Sequence, residues 1–504
     1  MALILKELLT SLIPTADPDQ ALTHWERFVG TGMSRAQLFD YLKGSQRMLH
    51  LLSGIFGNSD AMAQTLVRDP MLMYWLAEPQ VLARRASRDE LERTARASLR
   101  NVTAVELKLD ALRRFRRREM LRIGVRDLLR MAPVPETTAA LSDLASVMIQ
   151  LALESVEADL QQQHGAPMMP TRGGRSAKNG FAVIGMGKLG GGELNYSSDV
   201  DLIFVHASDD GDTKKLRGPA PRFLRVISNE EYFELLSRAL LRALAEPTQE
   251  GYIYRVDLRL RAEGTAGRLS RSVRAYRDYY AKRGEGWERL ALLKASPIAG
   301  DPKVGQAFLR AARTFVYGKG DAAPGKPEAT QIIAETKAVK DMIDAKMADR
   351  GQATRNVKLG IGGIREIEFL VQAIQVLCGR TVEGIRTRST LDALARFRKL
   401  GLLSSAHEAA LREAYVFLRD VEHKLQMVHD LQTHALPDQH EENTRCAIRL
   451  GYPTDDRIQA LKQFKADLLR HTTQVNRLFR SLFADPERSP LFAAALSLAR
   501  RRTS

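Results

Sequence analysis

The sequence has little cysteine, few aromatic residues and no long uncharged apolar run. Only two of its 504 residues are cysteine, Cys378 and Cys446, and they do not form a CxxC pair. This argues against a disulfide framework or a cysteine zinc site and predicts a reducing, cytoplasmic location. No uncharged apolar run approaches the roughly 18–20 residues of a membrane helix, and the first residues lack the basic start of a signal peptide, so no membrane association is expected.

Charge is the one unusual feature of the composition. The chain has 76 Lys and Arg residues against 60 Asp and Glu residues, a net charge of +16. Such an excess predicts a polyanionic partner, which leaves nucleic acid, a nucleotide and an acidic protein as alternatives. Hydrophobic residues make up 44% of the chain, as in ordinary globular proteins, and the length predicts two to four domains.

The pattern of apolar residues divides the chain into helical and mixed parts. Helical periodicity predicts an N-terminal helical region over 1–170, and short apolar runs with intervening helices predict a mixed-sheet domain over 171–317. A glycine-rich and proline-rich linker over 318–330 precedes a predicted helical bundle over 331–490 and a tail over 491–504. The predicted fold class is therefore α+β and mostly helical, with a small mixed-sheet domain between two helical regions.

A glycine-rich turn follows the first predicted strand of the mixed domain. The stretch IGMGKLGGGELNYSSDVDLIFV (184–205) places Gly187, Lys188, Gly190 and Gly191 directly after apolar residues. Such a turn lets backbone N–H groups approach a phosphate closely, because no side chain intervenes. A tight strand-to-helix turn without a ligand is the alternative interpretation.

Two aspartates open the next predicted strand. Ser198 precedes Asp199 and Asp201, which stand two residues apart, so both carboxylates point to one strand face about 6–7 Å apart. The apolar residues Val200, Leu202 and Phe204 occupy the opposite face. Like charges on one face repel unless a cation lies between them, and Mg²⁺ prefers oxygen ligands. A merely acidic solvent face is the alternative.

The segment YIYRVDLRLR (252–261) offers a third carboxylate. Its alternation predicts a strand with Asp257, Arg259 and Arg261 on one face. Asp257 would complete a metal site, and the guanidinium groups would hold phosphate oxygens. The alternative interpretation is a solvated face of an antiparallel sheet.

Together these features resemble the DNA polymerase β-like nucleotidyltransferase superfamily. That pattern consists of a glycine turn, an Asp-x-Asp about ten residues later and a distant strand aspartate. Lys188 stands where the superfamily usually has a small serine.

Further motifs, quoted in chain order, narrow the resemblance. They are LRRFRRREMLRIGVRDLL (112–129), YRVDLRLRAEG, GWERLALLK (286–294), GIGGIREIEFLVQ and FLRDVEHKLQMVHDLQTHALP (417–437). In this order they resemble the glutamine synthetase adenylyltransferase/adenylyl-removing enzyme family over about 40–485. REIEF at 365–369 resembles the N-terminal, adenylyl-removing half of that bifunctional enzyme.

The resemblance implies a metal-dependent phosphorolysis. Inorganic phosphate would attack an AMP–tyrosine ester on glutamine synthetase and release ADP, with adenylylation from ATP as the alternative. It implies Mg²⁺ or Mn²⁺ held by Asp199, Asp201 and Asp257, and phosphate bound by Gly187, Lys188, Gly190, Gly191, Ser198, Arg259 and Arg261. Implied partners are glutamine synthetase, the PII signalling protein, adenine nucleotide and phosphate.

Four more charged residues are candidates for the same site. Lys294 shares a helix face with Trp287 and would reach a phosphate, although a surface lysine fits the same spacing. Arg365, Glu366 and Glu368 lie in REIEF, where the two glutamates border an apolar stripe. A structural ion pair with Arg365 is the alternative for these glutamates.

Two other classes of function remain open. An RNA-directed nucleotidyltransferase would suit the positive charge, but aromatic residues make up only 6% of the chain and form no strand platform, so nucleic acid is not the expected partner. A non-catalytic module that binds PII or glutamine synthetase is the other alternative, and the three aspartates argue against it.

Overall fold

The computed structural model describes residues 2–171, 174–214, 225–318, 324–349 and 351–501. It confirms a mostly helical α+β protein with small mixed sheets. The sheets lie between an N-terminal and a C-terminal set of helices, which is the predicted order.

Ten helices form the N-terminal part, as the periodicity of the sequence predicts. They are α1 (Ala2–Leu12), α2 (Pro18–Val29), α3 (Arg35–Gly44), α4 (Gln46–Phe56), α5 (Asp60–Arg68), α6 (Leu72–Ala77), α7 (Pro79–Ala83), α8 (Arg88–Leu99), α9 (Val105–Leu128) and α10 (Val134–His164). Side-chain caps fix several starts; Ser87, for example, caps α8 in a capping box with Glu90.

Helix α10 is the central element of this part. Within the described residues it is the one helix long and apolar enough to cross a membrane, and 78% of its most apolar stretch is buried inside the protein. It packs against α9 and against a helix of the mixed domain, α12 (Asn229–Ala245). Its apolar residues therefore have partners within the fold, since Leu144, Val147 and Leu151 are all buried.

The mixed domain is built on a five-stranded sheet and a smaller three-stranded one. The strands are β1 (Ala166–Pro170), β2 (Ser176–Lys178), β3 (Phe181–Gly185), β4 (Val200–His206), β5 (Thr213–Lys214), β6 (Val256–Asp257), β7 (Ser270–Ser272) and β8 (Ser296–Gly300). The larger sheet has the order β6-β4-β3-β8, with β7 also paired to β4, and the smaller has the order β2-β1-β5. Strand β3 is antiparallel to β4 and β8, whereas β6 and β7 run parallel to β4.

Three short helices complete the mixed domain around the larger sheet. They are α11 (Gly187–Gly191), α13 (Val273–Lys282) and α14 (Gly286–Leu292). Both faces of the sheet are covered. Val183 and Phe204 pack into the core shared with the N-terminal helices, whereas Ile184 and Ile203 pack into the core shared with the C-terminal helices. The carboxylate-bearing end of β4 consequently lies at the boundary between the two helical parts.

Eight helices follow. They are α15 (Pro302–Tyr317), α16 (Lys326–Asp349), α17 (Ile364–Cys378), α18 (Thr390–Lys399), α19 (Ser405–Gln426), α20 (His440–Arg449), α21 (Arg457–Phe483) and α22 (Pro490–Arg501). An apolar stripe of α19 is buried at Leu411, Ala414, Leu418 and Val421, so this helix packs as a bundle helix does.

Several predicted segments differ from the structure. The expected strand over 252–261 is wrong beyond β6, because the chain turns after Asp257 and Arg261 N bonds back to Leu258 O. The expected linker over 318–330 contains the start of α16, and 319–323 lie outside the described residues. The expected tail over 491–504 begins with α22, whose Phe492 and Ala495 are buried against α17.

Candidate functional site

A cavity of about 540 Å³ lies beside the start of β4, and we call it the carboxylate cavity. Strands β4 and β6, the start of α11, and helices α14, α16 and α17 supply most of its walls. Its charged residues are Lys188, Asp199, Asp201, Asp257, Arg259, Lys294, Lys358, Arg365 and Glu368. Its size falls within the range of small-molecule sites.

The three predicted aspartates all line this cavity. Parallel pairing of β4 with β6 sets Asp201 directly beside Asp257, and Asp199 precedes Asp201 on the same strand face. The hydrogen bond from Val200 N to Arg255 O, 2.9 Å, holds this register. The pairing brings together carboxylates that are 56 residues apart in sequence.

The three carboxylates differ in their surroundings. Asp199 accepts a hydrogen bond from Arg255 Nε at 2.8 Å, and Asp257 accepts one from Arg259 Nε at 2.8 Å. Burial and the neighbouring Asp257 carboxylate raise the pKa of Asp201 to about 6. Burial opposes ionisation of Asp257 as well, but its hydrogen bonds with Arg259 bring the pKa of Asp257 below its usual value.

The chemistry of the donor set fits a hard divalent cation. Carboxylate oxygens are the ligands that Mg²⁺ prefers, and the Asp201 carboxylate accepts no hydrogen bond from the described residues. The described residues nevertheless contain no ready-made group of three His, Cys, Asp or Glu side chains around a common point. Arg255 and Arg259 account for this difference, because they draw Asp199 and Asp257 into ion pairs. Metal binding would therefore exchange these ion pairs for metal–oxygen bonds.

The glycines of the turn have different surroundings. Gly187 lines the cavity in a left-handed conformation with φ +51°, and a Cβ there would lie 2.4 Å from Asp201 Oδ2. Gly190 and Gly191 do not line the cavity. A Cβ on Gly190 would lie 2.1 Å from Lys294 O, so Gly190 permits a close crossing of two backbones.

Lys188 and Ser198 also line the cavity. Lys188 Nζ donates to Glu422 Oε1 at 2.7 Å, which links the glycine turn to α19. Burial disfavours a charged Glu422, yet Lys188, His434 and Arg419 hold the pKa of Glu422 well below its usual range. Lys188 is thus already paired with a buried carboxylate.

The two predicted phosphate-binding arginines separate. Arg259 lines the cavity and is mostly exposed, whereas Arg261 does not line it. The expectation that Arg261 shares a face with Asp257 is wrong, because the strand ends at Asp257. The buried Arg261 guanidinium instead donates to the carbonyls of Leu258, Thr265 and Gly267.

The four remaining candidates form two separate clusters. Lys294 is buried and contacts Glu193 at 2.8 Å and Glu368 at 2.7 Å, while Arg365 contacts Glu368 at 3.2 Å. These three candidates line the cavity. Glu366 lies outside it, buried beside Lys340 at 3.2 Å and Asn476. The ion pair with Arg365 is present for Glu368, whereas Glu366 pairs with Lys340 instead.

Sequence reasoning missed Lys358, which also lines the cavity. Burial and the nearby Arg365 lower the pKa of Lys358, while Glu422, Glu368 and Asp201 oppose that shift. No carboxylate of the described residues lies within ion-pair distance of its ammonium group. Its position seven residues before REIEF was the only available signal, because it lies in a loop without periodicity.

Comparison with known protein families gives two matches along the chain. The family model described as glutamate-ammonia ligase adenylyltransferase matches residues 49–311, and the one described as GlnD PII-uridylyltransferase matches residues 337–483. The first match contains all three cavity aspartates, and the second contains Lys358 and α17.

Curated relatives agree with the first match. The bifunctional glutamine synthetase adenylyltransferase/adenylyl-removing enzyme of Nitrosococcus oceani is 35% identical over 87% of this chain and 43% of its own length. The proteins of that name from Thioalkalivibrio sulfidiphilus and Pseudomonas aeruginosa are 36% and 35% identical, over 86% and 85% of this chain and 42% and 41% of their own lengths. The chain therefore spans less than half the length of these relatives.

Proposed function

Because the chain belongs to the glutamate-ammonia ligase adenylyltransferase family, a family of nucleotidyltransferase enzymes, we propose that its carboxylate cavity performs nucleotidyl transfer on glutamine synthetase. The proposed reaction is removal of AMP from an adenylylated tyrosine. A phosphate oxygen bonds to the phosphorus of the AMP–tyrosine ester, the bond to the tyrosyl oxygen breaks, and that oxygen takes up a proton. The products are ADP and free tyrosine.

The observation that supports this proposal most directly is the pairing of Asp201 with Asp257. Parallel register places these two carboxylates side by side, with Asp199 on the same face of β4. Such a cluster suits Mg²⁺ or Mn²⁺, with Asp199, Asp201 and Asp257 as ligands. A bound divalent ion supplies Lewis-acid stabilisation of charge on the phosphoryl oxygens.

Other residues of the chain orient the phosphate. Gly187 lets the Asp201 carboxylate lie against the backbone because it has no Cβ, and Ser198 offers a hydroxyl at the cavity wall. Lys358 and Arg365 supply positive charge close to Asp201, and Arg259 adds more at the exposed edge. These cations stabilise negative charge that develops on the transferring phosphoryl group.

Adenylylation from ATP is the second candidate function, because the name of the relatives includes both an adenylyltransferase and an adenylyl-removing activity. The same cavity would serve both reactions, since each one makes and breaks a bond at the phosphorus of AMP; in adenylylation the tyrosyl oxygen loses its proton and bonds to the α-phosphorus of ATP, and pyrophosphate leaves. We further propose the cytoplasm as the location, PII as a regulatory partner, and adenine nucleotide with phosphate as small ligands.

The test uses adenylylated glutamine synthetase, Mg²⁺ and phosphate, with ADP release as the readout and a parallel reaction of ATP with unmodified glutamine synthetase. We expect the Asp199→Asn and Asp201→Asn double variant to lose ADP release while its circular dichroism spectrum stays unchanged. Asp278→Asn with Asp341→Asn, two exposed carboxylates outside the cavity, is the matched control and keeps its activity. Full activity of the cavity variant would refute the assignment of Asp199 and Asp201 to the reaction. Activity of the unmodified chain only in the reaction with ATP would replace removal of AMP by adenylylation as its function.

A further inference from the structure

The carboxylate cavity has a second wall that is apolar, and the proposed phosphate chemistry does not use it. We call it the apolar wall, and it consists of Leu260, Trp287, Leu290, Ala291, Val339, Ile343 and Phe369. It comes mainly from α14 and α16, whereas the three aspartates come from β4, the residue before it, and β6. One cavity thus joins a charged half to an apolar half.

Helical spacing explains why these side chains share one wall. Trp287, Leu290 and Ala291 stand three and four residues apart on α14, so they lie on one helix face. Val339 and Ile343 stand four apart on α16, which packs against α14. Met342, which directly precedes Ile343 on α16, lies outside the cavity and is 68% exposed.

Trp287 is the residue of the wall most open to a ligand. Its side chain is 36% exposed, and its Nε1 donates to Glu285 Oε2 at 2.6 Å, which orients the indole. Leu290 and Phe369 are 6% and 4% exposed and close the inner end of the wall. An exposed aromatic ring beside buried apolar residues is a suitable surface for a flat ring, because stacking buries apolar area on both partners.

We propose that the apolar wall binds the adenine base of the nucleotide, with its ring against Trp287, while the phosphate occupies the charged half. This inference rests on the proposed function, since a nucleotidyl group reacting beside Asp201 must also place its base within reach of the cavity. The tyrosine that carries AMP belongs to a large folded partner and reaches the cavity from outside. The base is part of the small ligand and can reach the inner end at Leu290 and Phe369.

The experiment compares AMP with ribose 5-phosphate, which differ only in the base, by calorimetry on the full chain with Mg²⁺. We expect the unmodified protein to bind AMP more tightly, and we expect Trp287→Ala to weaken AMP binding by about tenfold while ribose 5-phosphate binding stays unchanged. Trp287→Phe retains a ring and keeps most of the affinity for AMP. Met342→Ala, next to Ile343 on the outer surface of α16, is the control and binds both ligands normally.

Three results would overturn the inference. Equal binding of AMP and ribose 5-phosphate to the unmodified protein would remove the role of the base. Equal loss of both ligands in Trp287→Ala would make the residue structural. An unchanged AMP affinity with a raised KM for adenylylated glutamine synthetase would assign the wall to the tyrosine ring. Failure of the proposed reaction is distinguishable, because it abolishes turnover with glutamine synthetase but leaves the preference for AMP over ribose 5-phosphate.

Discussion

Gly187 combines a backbone conformation that favours glycine with close contact to the Asp201 carboxylate of the cavity. Its φ of +51° disfavours any side chain, and a Cβ would lie 2.4 Å from Asp201 Oδ2. We expect Gly187→Ala to lower the free energy of unfolding by about 1–3 kcal/mol and to reduce ADP release by more than about tenfold, since the carboxylate must move. Urea unfolding and the phosphorolysis assay measure the two effects.

Gly192 provides the matched control for Gly187. It also has a left-handed conformation, φ +72°, but a Cβ there would meet nothing within 4 Å. Gly192→Ala should lose a similar amount of stability and retain activity. If both variants lost activity equally, backbone strain and not contact with Asp201 would be responsible.

Lys358 is the cavity cation for which the structure provides no carboxylate at ion-pair distance among the described residues. We expect Lys358→Met to weaken the binding of inorganic pyrophosphate, measured by calorimetry, by about tenfold, because one charged hydrogen bond is lost. Lys337→Met is the control, since Lys337 lies on the surface of α16 beside Asp341. Unchanged binding in Lys358→Met would exclude direct contact between this lysine and phosphate.

At the scale of elements, Lys294 connects the end of α14 to α17. Its buried ammonium group contacts Glu193 and Glu368, both also buried. We expect Lys294→Met to lower the free energy of unfolding by about 3–5 kcal/mol, because two carboxylates stay buried without their partner. Urea denaturation measures this loss.

The double variant Lys294→Met with Glu368→Gln tests the same explanation. Neutralising Glu368 removes one of the two buried carboxylate charges that lose their contact with Lys294, so the double variant should be more stable than Lys294→Met. A loss below about 1 kcal/mol in the single variant would instead mean that Lys294 is not a structural ion-pair partner.

At the scale of the whole molecule, the N-terminal helices and the C-terminal bundle contact each other directly. Lys424 of α19 contacts Asp127 of α9 at 2.8 Å, and Arg457 Nη2 of α21 donates to Thr15 O at 2.7 Å. The sheet also shares one core with each helical part. Domains joined in this way are expected to unfold together.

Two probes test this cooperativity. Trp25 is buried among the N-terminal helices, and the thiols of Cys378 and Cys446 are buried in the C-terminal bundle. In a Trp287→Phe variant, whose remaining tryptophans Trp25 and Trp75 both lie in N-terminal helices, tryptophan fluorescence and thiol labelling should therefore give the same urea midpoint. Midpoints separated by more than about 0.5 M would correspond to about 0.5–1.5 kcal/mol and would show that the parts unfold independently.

Local pattern predicted those features that depend on near neighbours in sequence. The helical regions on either side of the mixed domain and the shared side of Asp199 and Asp201 at the start of β4 both follow from it. It predicted a long strand around Asp257 because alternating residues favour one, yet of the segment 252–261 only Val256 and Asp257, in β6, pair with β4. A strand needs a partner along its whole length, and local alternation contains no information about that partner.

The sequence by itself determined the fold class, the family and the three aspartates of the cavity, since periodicity, the order of motifs and the Asp-x-Asp spacing can all be read along the chain. Only the tertiary structure decided that Arg261 turns away from the cavity, that Lys188 pairs with Glu422, and that Lys358 faces the carboxylates. The physical reason is that a charged side chain pairs with the opposite charge that the fold places beside it, whatever their separation in sequence. Glu422 follows Lys188 by 234 residues, and no local pattern relates the two.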